Sequence, residues 1–359
     1  MQDMKRIKAL VFITIAAGIA AIGILPGCDE LVTNETRDSI EVTLIVRDST
    51  CVEYCHSDDD FEVMAAIRQW EYSGHSNTVF YDDTLFGQTA LYCGPECHTM
   101  DGFVSWLDND PDTSGYPFEL GCYTCHQPHT LQLPDSTWNF SLRDTSAVIL
   151  AGGQTFDYGT RGRSNICANC HRSTYDVINW VYSLQINDER LIEVLHAAHE
   201  ADMFLGANGY EYTTYTYESD HNDVVSEGCV GCHQDYDEGF ALGGHSLNIR
   251  DGNGRAVEEG CNVCHTGDDE YSDATIAAKQ SIFDITLNAL RTKLISTGML
   301  DDSTFLPDPA YGVIADPDSV GALYNYLYLT ADRSRGMHNW SYAMGLITSS
   351  ITFLNTTAK

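Results

Sequence analysis

The chain has 359 residues, enough for one large domain or two small ones, with 43% hydrophobic and 20% charged residues. Its formal net charge of −33 argues against nucleic acid and against an anionic membrane surface as partners. That charge suits cationic or metal-bearing partners, although an acidic surface that only aids solubility would explain it equally well.

The N-terminus predicts an export signal. Basic residues between positions 5 and 8 precede an apolar run from 9 to 25, and Gly27-Cys28 follows shortly after it. A small residue before Cys at this point resembles a bacterial lipoprotein cleavage site, at which Cys28 becomes the lipidated first residue. We therefore assign residues 1–27 to a lipoprotein-type signal peptide. The alternative is an ordinary signal peptide with a leftover Cys28.

Regular structure is predicted from the spacing of apolar residues. Residues 28–50 form a linker in which residues 39–46 alternate as a short β-strand. Helical spacing occurs in five stretches, at residues 61–72, 188–205, 274–299, 318–330 and 337–353. The last three make a helical C-terminal cap, residues 274–359, with His338 in the first turn of its final helix.

The chemistry is concentrated in the cysteines. Of thirteen Cys, all except Cys28 lie in pairs that His follows directly, four as C-x-x-C-H and two as C-x-x-x-C-H. Each Cys can add to one vinyl group of a haem, and the adjacent His then ligates the iron. The expected thioether residues are Cys51, Cys55, Cys93, Cys97, Cys122, Cys125, Cys167, Cys170, Cys229, Cys232, Cys261 and Cys264. The expected proximal ligands are His56, His98, His126, His171, His233 and His265.

Two other uses of cysteine, zinc binding and disulfide formation, do not explain this pattern. Zinc sites do not require His directly after every second Cys, and disulfides in an exported protein leave the six His unexplained. The pattern therefore predicts six c-type haems. The two C-x-x-x-C-H motifs, at Cys51 and Cys93, have the less usual spacing.

Seven further His are available for six distal positions, namely His75, His129, His196, His199, His221, His245 and His338. A haem with two axial His has no open position for a substrate, which argues against catalysis. His129 is too close to His126 to reach the far face of the same haem, but it can reach a neighbouring one. His196 and His199 share one predicted helical face, so that one ligates and the other is spare. A Met ligand stays open as an alternative.

The order of the motifs predicts the architecture. The short gaps between Cys93 and Cys122 and between Cys229 and Cys261 indicate two close haem pairs. We expect a mainly α fold with extensive loops and little β, organised around stacked haems, with residues 51–273 as the six-haem domain. In that domain Gly243-Gly244 would let the backbone at His245 approach a flat ring closely.

Several short segments carry a family resemblance. They are residues 70–75 (W-x-x-S-x-H), 97–103 (C-H-T-x-x-G-F), 125–129 (C-H-x-P-H), 196–206, 244–246 and 332–343. They resemble the exported multihaem c-type cytochromes of metal-reducing and related bacteria. The C-terminal helices are similar to those of the cytochrome c nitrite reductase superfamily.

The resemblance implies a set of distal ligands and a function. By resemblance these ligands are His75, His129, His196, His245 and His338, and His221 takes the sixth place by elimination. The nitrite reductases use Lys at one haem, whereas all six motifs here end in His, so the resemblance implies electron transfer and not catalysis.

We therefore expect a hexahaem electron carrier that is not an enzyme. It would exchange electrons with redox partner proteins or an extracellular acceptor, from the periplasm or the cell surface, with a lipid anchor as its only membrane attachment. One alternative is self-association into a cytochrome filament, which a lipid on Cys28 would fit poorly. The other is a reductase with one open haem, for which the nineteen Lys and Arg supply little sign of an anion pocket.

Overall fold

The computed structural model describes residues 29–36, 39–46, 61–76, 95–109, 120–127, 142–186, 198–234, 241–308 and 316–357. The chain forms two compact units, residues 1–68 and 69–359. In the first unit, strand β1 (Asp29–Thr36) pairs antiparallel with β2 (Ser39–Val46). The predicted strand at residues 39–46 is confirmed, but its partner was not predicted, because the polar β1 lacks clear alternation.

The remaining regular structure is almost entirely helical. The longer helices are α1 (Phe61–Glu71), α3 (Met100–Leu107), α6 (Val177–Ile186), α10 (Asp273–Ser296), α11 (Pro317–Asp332) and α12 (Trp340–Thr357). The short ones are α2 (Pro95–His98), α4 (Cys122–Cys125), α5 (Asn165–Ala168), α7 (Glu200–Leu205), α8 (Val230–His233) and α9 (Glu258–Asn262). Strands β3 (Val148–Ile149) and β4 (Thr155–Phe156) form a small hairpin. The predicted mainly helical fold with extensive loops and little strand is confirmed.

Helices α10, α11 and α12 pack together around an apolar core, which α6 joins through its contact with α11. Fully buried side chains such as Leu290, Tyr324 and Leu346 fill this core. Two helix starts are fixed locally. Ser272 accepts a hydrogen bond from the Thr275 N–H at the start of α10, and Asp316 accepts one from the Ser319 N–H just ahead of α11.

Two helix predictions fail at their ends. Helix α12 begins at Trp340 and not at residue 337, so His338 lies in the turn that precedes the helix. Helix α7 begins at Glu200, and the backbone of His199 is non-helical, with φ −132° and ψ 7°. The prediction of one helix over residues 188–205 is therefore wrong at residues 198 and 199, which precede α7, and His199 is not on a helical face.

No helix in the part of the chain that the structure describes has the length and apolar character needed to cross a membrane. The predicted signal peptide and Cys28 lie outside the described residues. The domain boundaries drawn from the sequence, at residues 50/51 and 273/274, stay predictions.

Candidate haem-binding centre

The four C-x-x-C-H motifs adopt the same backbone turn. In each, the His N–H donates to the carbonyl of the first Cys, over 2.8 Å for His126, 2.9 Å for His171 and His233, and 3.0 Å for His265. A single helical turn places positions i, i+3 and i+4 on one face. Both thiols and the imidazole of each motif are therefore directed to the same side of the chain, as attachment of one flat group requires.

Numbered in chain order from Cys51, the second motif, Cys93-Cys97-His98, is described only in part. Cys97 and His98 end α2, and Thr99 then starts α3 by accepting a hydrogen bond from the Gly102 N–H at 3.0 Å. Phe103 is buried in the same helix. Cys51, Cys55, His56 and Cys93 lie outside the described residues, so the structure gives no geometry for the first motif.

The structure places three motif His rings opposite His rings from distant parts of the chain. The ring centroids are 6.1 Å apart for His75 and His171, 6.1 Å for His126 and His245, and 6.3 Å for His233 and His338. A metal–imidazole bond is about 2.0 Å and its nitrogen lies about 1.1 Å from the ring centre, so two rings on opposite faces of one metal have centroids about 6.2 Å apart. The spacing fits two axial ligands of one haem iron.

A fourth motif His, His265, interacts with another His of the chain through charge. Burial, together with the nearby ring of His221, lowers the pKa of His265. His221, the distal ligand assigned by elimination, is therefore near enough to His265 of the sixth motif to affect its pKa. His129 and His196 lie outside the described residues, and their assignment as distal ligands stays a prediction.

Hydrogen bonds at Nδ1 orient several of these rings. Nδ1 of His233 donates to the Leu247 carbonyl at 2.8 Å, and Nδ1 of His221 donates to the His338 carbonyl at 2.9 Å. A metal-ligating His typically donates its second ring nitrogen to such an acceptor, which fixes the tautomer. Nε2 of each ring is then left as the nitrogen able to bind iron.

Burial also keeps two of the rings in the form that binds metal. It lowers the pKa of His75 and of His233 to about 4 in each case, with smaller contributions from neighbouring His rings. Burial therefore favours the neutral form of both imidazoles. Neutral imidazole has the free lone pair that metal ligation requires.

Side-chain hydrogen bonds hold the turn that carries His75. Ser73 Oγ donates to the Trp70 carbonyl at 2.7 Å, where α1 ends, and accepts from the Ser76 N–H at 3.3 Å. Trp70 Nε1 donates to the Leu120 carbonyl at 3.1 Å, just ahead of the third motif. The W-x-x-S-x-H pattern therefore ends a helix and fixes the turn that presents His75.

The turn that carries His245 is tied to the same region. The His245 N–H donates to Gln69 Oε1 at 2.9 Å, and Asn248 Nδ2 donates to the Tyr72 carbonyl at 2.9 Å. Gly244 has φ +48°, and a Cβ there would collide with the Gln69 side chain. The glycine therefore permits the close approach of Gln69 in this structure.

The turn that carries His338 is held by the next residue, Asn339, which is fully buried. Its Nδ2 donates to Ser219 Oγ at 2.6 Å and to the Phe204 carbonyl at 3.2 Å. Its Oδ1 accepts from the Asp220 N–H at 3.2 Å. These bonds fasten the start of α12 to the segment after α7, so that His338 faces the fifth motif.

Neighbouring motifs also contact one another. Interaction with the thiol of Cys97 raises the pKa of Cys170, and Cys170 Sγ lies 3.8 Å from the carbonyl of Glu96. Interaction with the thiol of Cys229 likewise raises the pKa of Cys167. Helix α3, beside the second motif, packs on α4 of the third, and α8 of the fifth packs on α9 of the sixth. The second motif is thus a neighbour of the third, and the fifth is a neighbour of the sixth, which are the two pairs that the short gaps indicate. The fourth motif lies near the second and the fifth.

The thirteenth His, His199, is located differently. It is buried, with Nδ1 2.6 Å from Ser173 Oγ and its ring 5.0 Å from that of Tyr328. Separately, no group of three or more His, Cys, Asp or Glu in the described residues is arranged to hold a metal ion directly.

Comparison with known proteins agrees with the repeated Cys-Cys-His turns. No family model matches the chain. The C-type polyheme cytochrome OmcB of Geobacter sulfurreducens, from two strains, is 24% identical over an alignment 327 positions long that covers 72% of this chain and 43% of the relative. In sequence the chain is therefore similar to polyheme c-type cytochromes. It spans less than half the length of the curated cytochromes it matches.

Two solved structures are similar to this chain. The outer cell wall cytochrome OcwA aligns with a TM-score of 0.43 at 16% identity, covering 80% of this chain and 49% of that one. The undecaheme cytochrome from the S-layer of Carboxydothermus ferrireducens aligns with a TM-score of 0.46 at 16% identity, covering 92% of this chain and 42% of that one.

Proposed function

We propose that the chain holds six c-type haems, each with two axial His, and transfers electrons between them without catalysing a reaction. The observation that carries the proposal is the set of three ring pairs, each joining a motif His to a His remote in sequence at the spacing of two axial ligands. We assign His221 to His265 as a fourth site, which is supported by the effect of His221 on the pKa of His265. His129 and His196 are assigned to the remaining two.

The residues of the chain have separate roles in this proposal. Haem iron supplies a one-electron couple when bound. The paired cysteines would attach each group covalently, and the paired His would close both axial positions against substrates. The interactions of Cys170 with Cys97 and of Cys167 with Cys229 would hold successive attachment points together, which favours transfer between neighbouring sites.

The proposal includes export and a redox partner. The predicted signal and Cys28 support attachment by a lipid, and the net charge of −33 supports cationic or metal-bearing partners. The chain would then take part in periplasmic or extracellular respiration. Labelling with palmitate tests the anchor. The wild type should be labelled and Cys28→Ala should not, and equal labelling of both would reject a lipid on Cys28.

Electron paramagnetic resonance of the ferric protein, with haem counted per chain by mass, tests the central claim. Six haems and only low-spin signals are expected, because every iron would have two strong-field nitrogen ligands. A stoichiometric high-spin signal in the wild type would contradict the proposal. It would indicate one open haem and therefore a reductase.

Single substitutions test the assigned ligands. His245→Ala should convert one haem to high-spin, since His245 faces His126 across 6.1 Å. His199→Ala is the matched control, because His196 and not His199 is the ligand assigned by resemblance, and it should leave all haems low-spin. The reverse result would show that the ring pairs do not report the ligands.

A further inference from the structure

A buried carboxylate lies against one member of the His233–His338 pair. Asp332, the last residue of α11, is only 3% exposed. Its Oδ1 lies 2.6 Å from Nδ1 of His338. At that distance Nδ1 donates a short, charge-assisted hydrogen bond to the carboxylate.

The local backbone holds this carboxylate in place. Arg333 follows with φ +59°, and this left-handed residue turns the chain back toward Asp332. Ser334 donates to Oδ2 through both its N–H, at 3.3 Å, and its hydroxyl. The same hydroxyl accepts from the His338 N–H at 3.3 Å. Both carboxylate oxygens are therefore fixed by groups within one turn.

The negative charge has no cationic side chain to compensate it in the described part of the chain. The ion pairs there join Asp332 to His338 alone, whereas Arg335 pairs with Asp284. In a buried, low-dielectric position the charge acts strongly on its surroundings. Among the described ion pairs, the partner of this carboxylate is therefore the ring that faces the fifth motif.

The other oriented rings have weaker partners. His233, opposite His338, donates to a neutral carbonyl, and so does His221. His171 has the carboxylate of Glu200 near Nδ1, but at 3.4 Å and with a half-exposed ring. Among these four rings, His338 has the shortest contact with a carboxylate.

We propose that Asp332 is a positioning residue that lowers the reduction potential of the haem held by Cys229 and Cys232. The inference rests on the proposed function, since it takes His338 as an axial ligand of that haem. A carboxylate acceptor raises the basicity of the ligating imidazole, and a more basic ligand stabilises ferric over ferrous iron. The buried charge acts in the same direction, because one-electron reduction removes the net positive charge of the ferric centre.

The consequence concerns the order in which the sites fill. His221, beside the sixth motif, donates to the backbone carbonyl of His338. The fifth site also adjoins the fourth through the Cys167–Cys229 interaction. The fifth haem, whose potential Asp332 would lower, therefore lies between the fourth and sixth sites.

A spectroelectrochemical titration of the full holoprotein with Asp332→Asn tests the inference. Asn keeps an oxygen that can accept from Nδ1 but removes the charge. One reduction step should move to higher potential by at least about tenfold in its equilibrium constant, which is 59 mV for a one-electron couple. His338→Met marks the same step, because a Met ligand raises the potential of its haem.

Two further variants serve as controls. Asp318→Asn changes a carboxylate on the same helix that accepts from the Tyr210 hydroxyl at 2.6 Å, and it should leave every step in place. Asp332→Glu keeps the negative charge and should leave the marked step near its wild-type position. Equal shifts in Asp332→Asn and Asp332→Glu would overturn the inference, because charge would not then be the cause.

The outcomes separate this inference from the proposed function. Six low-spin haems in Asp332→Asn with all steps unmoved would reject the role of Asp332 and leave the bis-His assignment standing. His338→Ala with no high-spin haem would instead show that His338 is not a ligand, and both claims about this site would fail. A shift confined to the step that His338→Met marks supports the inference.

Discussion

The C-terminal helices and the motif segments between residues 142 and 265 are stabilised in different ways. Helices α10 to α12 bury a continuous apolar core that includes Leu290, Leu323 and Leu346. The motif segments have a small cluster around Phe156 and Phe204, and otherwise depend on turns and side-chain hydrogen bonds. The difference fits the proposal that the protein alone builds one region, whereas covalently attached haem would complete the interior of the other.

Removal of haem should have the largest effect on this comparison. In chains produced without haem attachment, we expect backbone amides of the motif turns, such as those of His171 and His233, to lose hydrogen-exchange protection. Amides in α10 and α12 should keep most of theirs, because their core contains no haem. Exchange followed by mass spectrometry measures both. Equal loss in the two regions would show that the C-terminal helices also depend on haem.

A substitution in the apolar core of the C-terminal helices should have the next largest effect. Leu290 is 0% exposed in α10, and Leu290→Ala should destabilise the protein by about 2–5 kcal/mol through lost contacts and a cavity. Ile285 on the same helix is 68% exposed, and Ile285→Ala should change the free energy of unfolding by about 0.5 kcal/mol or less. Chemical denaturation of the holoprotein measures both. Similar losses would mean that another surface covers Ile285.

The same two regions differ in how much the sequence could predict. Apolar periodicity located α1, α10 and α11 to within three residues at either end, because each buries one helical face. It failed at His338, where Ser334 and Asp332 hold a turn that delays the start of α12. It failed also before α7, where the Ala201 N–H donates to the His171 carbonyl. Such local bonds leave no periodic signal.

The site was predictable in its parts but not in its pairings. Cys and His spacing identifies each haem motif, because a single turn positions its three side chains. The partners of His171, His126 and His233 lie 96, 119 and 105 residues away in sequence. No local pattern encodes such pairs. Likewise, the contact of Asp332 with His338 depends on a left-handed turn at Arg333, which the sequence pattern does not predict.

Within the motif region, Gly244→Ala should have an intermediate effect. Gly244 has φ +48°, and an added Cβ would displace Gln69, which accepts from the His245 N–H. The left-handed conformation alone costs a residue with Cβ about 1–2 kcal/mol. We expect lower stability and a partial high-spin signal, because His245 would lose its position. Gly252→Ala, with open space around the added Cβ, should change neither, and a high-spin signal in that variant would contradict the explanation.

The smallest predicted effect is a pH dependence in the motif region. Glu227 accepts from the Thr160 N–H at 2.9 Å, from its hydroxyl at 2.6 Å and from Arg163 at 2.9 Å. Hydrogen bonds from Thr160, followed by Arg163, lower the pKa of Glu227 from 4.5 to about 2. Since the folded-state pKa is the lower one, this contribution is fully present above pH 4.5 and is lost as the pH falls through about 2.

Glu227→Gln should therefore destabilise the protein at pH 7 by about 0.5–1 kcal/mol, a small value because solvent screens this exposed site. Denaturation of both proteins over a series of pH values measures the difference. It should shrink as the pH falls and vanish near pH 2, where the wild-type carboxylate also becomes neutral. A difference that stays constant down to that pH would show that Glu227 acts through shape and not through charge. The contact between Thr160 and Glu227 would then stabilise the fold through packing. In that case the motif region would depend on packing, as the C-terminal helices do, more than its small apolar cluster suggests.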